Sequence, residues 1–150
     1  GPYRIDRITE AADLEAVSRL LASAFELPRD SLDRALPPSM LDAPGLALFL
    51  AYLEDEPVST VMTTTTGATV GIWSMATLPE RQRQGAGRAT LETVIAYHCE
   101  RGGQRFFLGA SPAGKPLYDR IGFRVLEETP LWVAGASGET SHGPQYLSVS

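Results

Sequence analysis

The spacing of apolar positions divides the chain into short strands and a few helices. Alternating residues at 3–8 predict a first strand, and a continuous apolar run at 46–53 predicts a buried strand. Stretches rich in β-branched residues at 57–66 and 69–77 predict two more strands, joined by a turn at 67–68. The first half of the chain is therefore expected to contribute four strands to one sheet.

Helical spacing appears between the first two strands and again after the fourth. An amphipathic helix is predicted from the apolar residues Leu14, Val17, Leu21 and Phe25. A second, short helix is predicted at 28–36, and a long helix is predicted at about 86–101. The remaining pattern predicts a strand at 105–110, a short helix at 114–121, and strands at 123–128 and 131–136.

This order of elements predicts a single domain over residues 1–136. It favours an α+β or mixed α/β fold, in which helices cover a largely antiparallel sheet. Residues 137–150 predict a flexible tail or an edge strand, since 137–145 are mostly polar with two glycines and YLSVS at 146–150 can pair at an edge.

Composition excludes several classes of protein. The formal net charge is −5, with 12 Arg and one Lys, which does not fit general nucleic-acid binding. No apolar run is long enough to cross a membrane. One cysteine, Cys99, and two histidines offer neither a disulfide nor a metal-ligand cluster. We therefore expect a cytoplasmic protein with no metal, and with no nucleic-acid or membrane partner.

The densest basic stretch is RQRQGAGRA at 81–89, and it lies where the long helix is predicted to begin. A helix N-terminus presents unpaired N–H groups and a partial positive charge, and glycines let an anion approach the backbone closely. With Arg81, Arg83 and Arg88 around it, this stretch predicts a pyrophosphate site. The alternative is an ordinary helix start with solvated arginines.

Three other motifs fail on particular residues. The run GAGRAT at 85–90 lacks the third glycine of a dinucleotide-binding fingerprint. In GASPAGKP, Pro116 stands where a phosphate-binding loop needs Ser or Thr to hold Mg²⁺. Pro112 removes an N–H that a serine-hydrolase elbow would need for its oxyanion hole.

Two motifs at the right separation resemble the GNAT acetyltransferase family. The family pattern [R/Q]-x-x-G-x-[G/A] at a strand-to-helix junction is matched by residues 82–87. Downstream, SPAGKPLYDRIGF has Ser111 where relatives often carry Asn, the family's tyrosine at Tyr118, and a Gly-Phe pair at 122–123. The resemblance extends over about 46–127.

The resemblance implies the fold and the cofactor site. It implies a splayed, mostly antiparallel sheet of six to seven strands with about four flanking helices, and acetyl-CoA held in the gap. Backbone groups of 75–77 would pair with the pantetheine arm, an N–H near Met75 would stabilise the oxyanion, and the N–H groups of 83–88 would hold the pyrophosphate. The cofactor-binding residues it implies are Met75, Ala76, Thr77, Gln82, Arg83, Gln84, Gly85, Ala86, Gly87, Arg88, Ser111 and Tyr118.

The resemblance also implies catalytic roles. Tyr118 would protonate the leaving thiolate as general acid, and Ser111 would contact the pantetheine or a catalytic water. Many relatives carry a glutamate base on the central strand, where this chain has Trp73 and Ser74, so no base is evident. Substrate-binding candidates are Phe25, Glu26 and Trp73, although core packing and a solvated helix face are the alternatives for them.

The function expected from the sequence is transfer of an acetyl group from acetyl-CoA to a primary amine of a small molecule or peptide. The alternative is a non-catalytic domain that binds or senses acyl-CoA within a longer protein. A nucleotide hydrolase built on GASPAGKP is a further rival. The acceptor, the acyl chain length, a homodimer and a missing further domain are all left open.

Overall fold

The computed structural model describes residues 1–110, 120, 124–132 and 140–149. Within them the strands are β1 (Tyr3–Arg7), β2 (Leu46–Leu53), β3 (Glu56–Thr66), β4 (Thr69–Thr77), β5 (Arg105–Ala110), β6 (Arg124–Trp132) and β7 (Thr140–Val149). The α-helices in this part of the chain are α1 (Leu14–Phe25), α2 (Arg29–Ala35) and α3 (Ala86–Cys99). None of the helices described is long and apolar enough to span a membrane.

The seven strands form one sheet in the order β1-β2-β3-β4-β5-β7-β6. Every neighbouring pair is antiparallel except β4 and β5, which run parallel because α3 connects them. The expected mixed fold with a largely antiparallel sheet of six to seven strands is therefore confirmed.

Each face of the sheet has its own apolar core. On one face α3 packs through Leu91 and Val94 against Phe49 and Val61. On the opposite face α1 and α2 pack against the strands, and this second cluster includes Val17, Leu20, Leu32, Leu50 and Val58. The helical spacing at Leu14, Val17 and Leu21 and the spacing along α3 did identify these buried stripes, whereas Phe25, the fourth predicted position of α1, is half-exposed. The sheet is thus fixed from both sides.

The last third of the chain differs from the expected pattern. Two strands were expected at 123–128 and 131–136, but β6 is one strand that continues through Pro130. Pro130 is tolerated because β6 lies at the edge of the sheet, where a missing N–H breaks no second ladder. β7 lies between β5 and β6, so Thr140–Val149 is an interior strand and not the expected tail or edge strand. Its pairing on both sides overrides its polar, glycine-containing composition.

A buried polar contact joins α3 to the sheet at His98. The side chain is 6% exposed, and Nε2 lies 2.8 Å from Oγ1 of Thr63 on β3. The rings of Phe49 and Tyr97 meet the imidazole edge to face. Burial lowers the pKa of His98, and the positive charges of Arg101 and Arg7 lower it further. The fold therefore favours the neutral imidazole.

We expect this histidine to make stability depend on pH. Because the pKa of His98 is lower in the folded chain than in the unfolded chain, its contribution is complete above about pH 6.5. Stability should fall as the pH drops below that value, and it should level off below the folded-state pKa. Urea unfolding between pH 7.5 and 5.5 should show this slope in the wild type and not in His98→Gln.

The chain's other histidine provides the control for this experiment. His142→Gln should keep the slope that His98 causes. An unchanged slope in His98→Gln would contradict the assignment.

Candidate functional site

The parallel ladder between β4 and β5 ends part-way along both strands. Pairing runs from Thr69 and Arg105 to Ile72 and Leu108, whereas β4 continues to Thr77. On its other side β5 pairs with β7 from Phe106 to Ala110, so Gly109 and Ala110 have β7 as partner but not β4. The two strands therefore separate, and the sheet opens into a wedge beside the second half of β4.

A bulge in β4 lies where the separation begins. The register with β3 shifts between Thr60 and Met62, and Ser74 adopts a left-handed conformation with φ 50°. A bulge adds local twist and bends its strand, which helps to turn β4 away from β5. Sequence patterning did not indicate this bulge, because Ser74 occupies an ordinary position in an apolar run.

The chain after β4 reaches α3 through a turn with two left-handed residues. Arg83 has φ 62° and Gly85, the residue that caps α3, has φ 93°. The amide of Ala89 donates to the carbonyl oxygen of Gly85 at 3.0 Å, which is the first bond of the helical series. The amides before Ala89 belong to the first turn, which an α-helix leaves without intrahelical acceptors. The start of α3 therefore presents a group of N–H donors and the positive end of the helix dipole.

Hydrogen bonds from two strands hold this turn in place. The Tyr3 hydroxyl on β1 donates to the carbonyl oxygen of Gln84 at 2.8 Å. The Gln82 side-chain amide donates to the carbonyl oxygen of Thr77 at 3.3 Å, which ties the turn to the end of β4. The turn is thus held by one contact that is distant in the sequence and by one that is local.

The arginines of the basic stretch differ in their partners. Arg81 forms an ion pair with Glu56 at 2.6 Å, and this hydrogen bond raises the pKa of Arg81. Arg88 pairs with Glu92 one helical turn later at 2.6 Å, with both side chains more than half exposed. Among the described residues Arg83 has no ion-pair partner, and its side chain is exposed. Arg83 is therefore the guanidinium best able to meet an anion at this turn.

A pocket of about 260 Å³ lies on the face of the sheet that α1 and α2 cover. It reaches β4 at Ser74, next to the bulge. Its apolar lining includes Val17, Leu21, Leu32, Leu36, Met40 and Met62. The sequence did not single these residues out, because leucine and methionine at such positions look the same in a core and in a pocket.

The predicted site residues lie in several places. Gln82 through Arg88 come together at the start of α3, and Met75 through Thr77 lie on β4 beside the wedge. Ser111 and Tyr118 lie outside the described residues, so their roles stay predictions. None of the three substrate-binding candidates lines the pocket.

The substrate-binding candidates have other surroundings. Phe25 is 50% exposed at the end of α1, and Glu26 follows it with φ 53°. The Trp73 indole donates to Oγ1 of Thr64 at 2.8 Å and meets the ring of Phe107 edge to face.

Comparison with known proteins identifies the family. The model of the acetyltransferase (GNAT) family matches residues 14–123, which is well over half of the chain. The chain belongs to this family. Acyl transfer is the chemistry common to GNAT acetyltransferases. No functionally curated protein matches the sequence.

Many solved structures are similar to the chain in fold. The ribosomal-protein-S18-alanine N-acetyltransferase of Escherichia coli is 20% identical, with a TM-score of 0.79 over 98% of this chain and 92% of its own. A GNAT acetyltransferase of Elizabethkingia anophelis, solved with acetyl-CoA bound, is 20% identical, with a TM-score of 0.72 over 98% and 97%. An acetyltransferase of Pyrococcus horikoshii is 25% identical, with a TM-score of 0.75 over 86% of this chain, which spans about half (46%) of that protein.

The bulge in β4 leads to a test of its backbone strain. A left-handed conformation at a non-glycine residue lowers the free energy of unfolding by about 1–2 kcal/mol. Glycine avoids this strain, but its greater freedom in the unfolded chain lowers the free energy of unfolding by about 0.5–1 kcal/mol. Ser74→Gly should therefore raise the free energy of unfolding by roughly 0.5–1 kcal/mol. Urea denaturation measures this change.

Ser74→Ala is the matched control, since it removes the hydroxyl and keeps the strained backbone. It should show no such gain. If the glycine variant is no more stable than the alanine variant, the positive φ at position 74 does not store strain.

Proposed function

We propose that the chain transfers an acetyl group from acetyl-CoA to a primary amine of a small molecule or peptide. The observation that carries this proposal is the proximity of two features along β4. The strand leaves β5 after Ile72, and eight residues after the strand ends the chain turns into the N-terminus of α3 at Gly85. The gap beside β4 suits an extended polar arm, and the N-terminus of α3 suits a pyrophosphate.

At the start of α3, backbone N–H groups fit a pyrophosphate better than the side chains do. Ala86 is 1% exposed, so its contribution would be its N–H group. A Cβ built on Gly85 meets little besides the Tyr3 ring at 4.0 Å, and the positive φ of Gly85 disfavours any side chain there. The exposed guanidinium of Arg83 adds charge. We propose that residues 82–88 hold the pyrophosphate of acetyl-CoA.

The second half of β4 fits the pantetheine arm. The proposal places this arm along 75–77, in the wedge that opens when β5 leaves. The Ala76 carbonyl oxygen already accepts the Ser59 hydroxyl at 2.9 Å, and the Thr77 carbonyl oxygen accepts the Gln82 side chain. A carbonyl oxygen has two lone pairs, so the Thr77 oxygen can accept a second bond, whereas the Ala76 oxygen faces β3, its partner in the ladder. These two contacts fix the backbone of the strand before anything binds.

The proposed chemistry needs two proton movements. Bound acetyl-CoA supplies an acetyl thioester, whose C–S bond breaks as the C–N bond to the amine forms. The Tyr118 phenol is proposed to give its proton to the sulfur. The proton that the nitrogen loses passes to solvent water, from which the Tyr118 phenolate is reprotonated, so protons and charges balance. Ser111 is proposed to contact the pantetheine or a water near it.

A cytoplasmic location is proposed from the single cysteine, Cys99.

Replacing Gly85 tests the pyrophosphate site. Gly85→Glu forces a side chain onto a left-handed position and adds a negative charge beside the anion. Calorimetry with acetyl-CoA should show affinity reduced by about tenfold or more, since a repelling charge and a strained turn each cost on the order of 1 kcal/mol.

Gly67→Glu is the matched control for this variant. Gly67 is also left-handed, with φ 59° and open space around it, but it lies in the turn between β3 and β4. This variant should lose stability and keep its affinity. An unchanged affinity in folded Gly85→Glu would remove the phosphate argument.

Replacing Tyr118 separates an enzyme from a sensing domain. Tyr118→Phe should lower kcat by about 100-fold or more and leave the affinity for acetyl-CoA unchanged, because general acid catalysis contributes about that much. The control is Tyr52→Phe, a tyrosine of β2 that is not among the proposed site residues. Tight binding of acetyl-CoA without CoA release on any amine would favour the non-catalytic, sensing alternative.

A further inference from the structure

We propose that the pocket between α1, α2 and the sheet receives the carbon skeleton of the acceptor, and that this skeleton is apolar and uncharged. The substrate class is then a primary amine carried on an aliphatic or aromatic group. This inference rests on the proposed acetyl transfer and goes beyond it by naming the acceptor.

The position of the pocket supports this role. Ser74 is one of its lining residues, and it follows Ile72, the last residue of β4 that pairs with β5, by two positions. The pocket also touches Thr60, which pairs with Ala76 across the ladder. The pocket therefore meets the sheet at the wedge, from the face opposite α3. A group seated in it lies next to the strand proposed to hold the acetyl donor.

The chemistry of the lining selects against charge. Eight of the ten lining residues are apolar, and no ionisable side chain is among them in the part of the chain described. The polar pair is Thr60 and Ser74, and Thr60 already donates to the carbonyl oxygen of Phe49 at 2.8 Å. The Ser74 hydroxyl is thus the polar group left at the strand side.

None of the charged residues of α2 is among the residues that line the pocket. Leu32, Ala35 and Leu36 line the pocket, whereas Asp33 and Arg34 are exposed and do not line it. A second ammonium group buried in this pocket would lose its water and meet no counter-ion, which is costly. Polyamines and other multiply charged acceptors are therefore disfavoured.

The size of the pocket allows a ring or a chain of several carbons. A dry cavity of about 150 Å³ lined by similar side chains binds benzene. At about 260 Å³ this pocket has more room. Each methylene that enters an apolar site gains about 0.8 kcal/mol, which corresponds to a roughly fourfold gain in kcat/KM.

The experiment measures CoA release from acetyl-CoA with linear primary amines from propylamine to hexylamine. We expect kcat/KM to rise roughly fourfold for each added methylene until the pocket is full. Hexylamine and cadaverine form a matched pair of equal chain length, with a methyl group in one and a second ammonium in the other. Cadaverine should be about tenfold or more poorer than hexylamine.

A variant that fills the pocket ties the effect to this site. Ala35 lines the pocket and is exposed, so it lies at the rim, and Ala35→Trp should fill the pocket with little strain. This variant should lose the dependence on chain length. Ala96→Trp, at an exposed position of α3 on the opposite face, should keep it.

The outcomes separate this inference from the function on which it rests. If kcat/KM is equal for cadaverine and hexylamine, or if the dependence of kcat/KM on chain length persists in Ala35→Trp, the inference is overturned. Acetyl transfer would still stand. A preference for hexanoyl-CoA over acetyl-CoA that Ala35→Trp abolishes, without any effect of amine length, would assign the pocket to the acyl chain instead. If acetyl-CoA binds and none of these amines releases CoA, this inference fails, whereas the proposed function fails only if peptide amines release no CoA either.

Discussion

The parallel hydrogen bonds between β4 and β5 stop after Ile72 and Leu108, and the site depends on where they stop. If the parallel ladder continued, it would close the wedge and give the backbone of β4 hydrogen-bond partners along its whole length. The bulge at Ser74 bends β4, while β5 keeps an antiparallel partner, β7, on its other side. The sheet can therefore open in its middle while β5 stays paired on its other side.

The turn before α3 is held by a distant contact from β1 and by a local contact to the end of β4. Its two left-handed residues would be costly in an isolated peptide, and they persist here because neighbouring strands hold them. Tyr3 and Gln82 supply those contacts from β1 and from the turn itself. The same contacts would hold the N-terminus of α3 at a fixed position relative to β4. The pyrophosphate and the pantetheine arm belong to one long molecule, so their two binding sites need a fixed separation.

The sequence predicted the parts that follow local rules. Helical spacing located α1 and α3, β-branched runs located β3 and β4, and the glycines after Arg83 marked the start of α3. It could not locate β7, because the pairing of Thr140–Val149 depends on neighbours that only the folded sheet provides. It also did not reveal the pocket, since Leu36 and Met40 look like ordinary core residues until the packing leaves a space beside them.

The central claim is that the turn at 83–88 holds the pyrophosphate while β4 holds the pantetheine arm. Amide NMR shifts on adding CoA or pantetheine test it most directly, because pantetheine has the arm without the pyrophosphate. The account predicts that the amides of 83–88 shift with CoA and not with pantetheine, and that those of 75–77 shift with both. Shifts at 83–88 that are equal for the two ligands, or absent while CoA binds elsewhere, would contradict it.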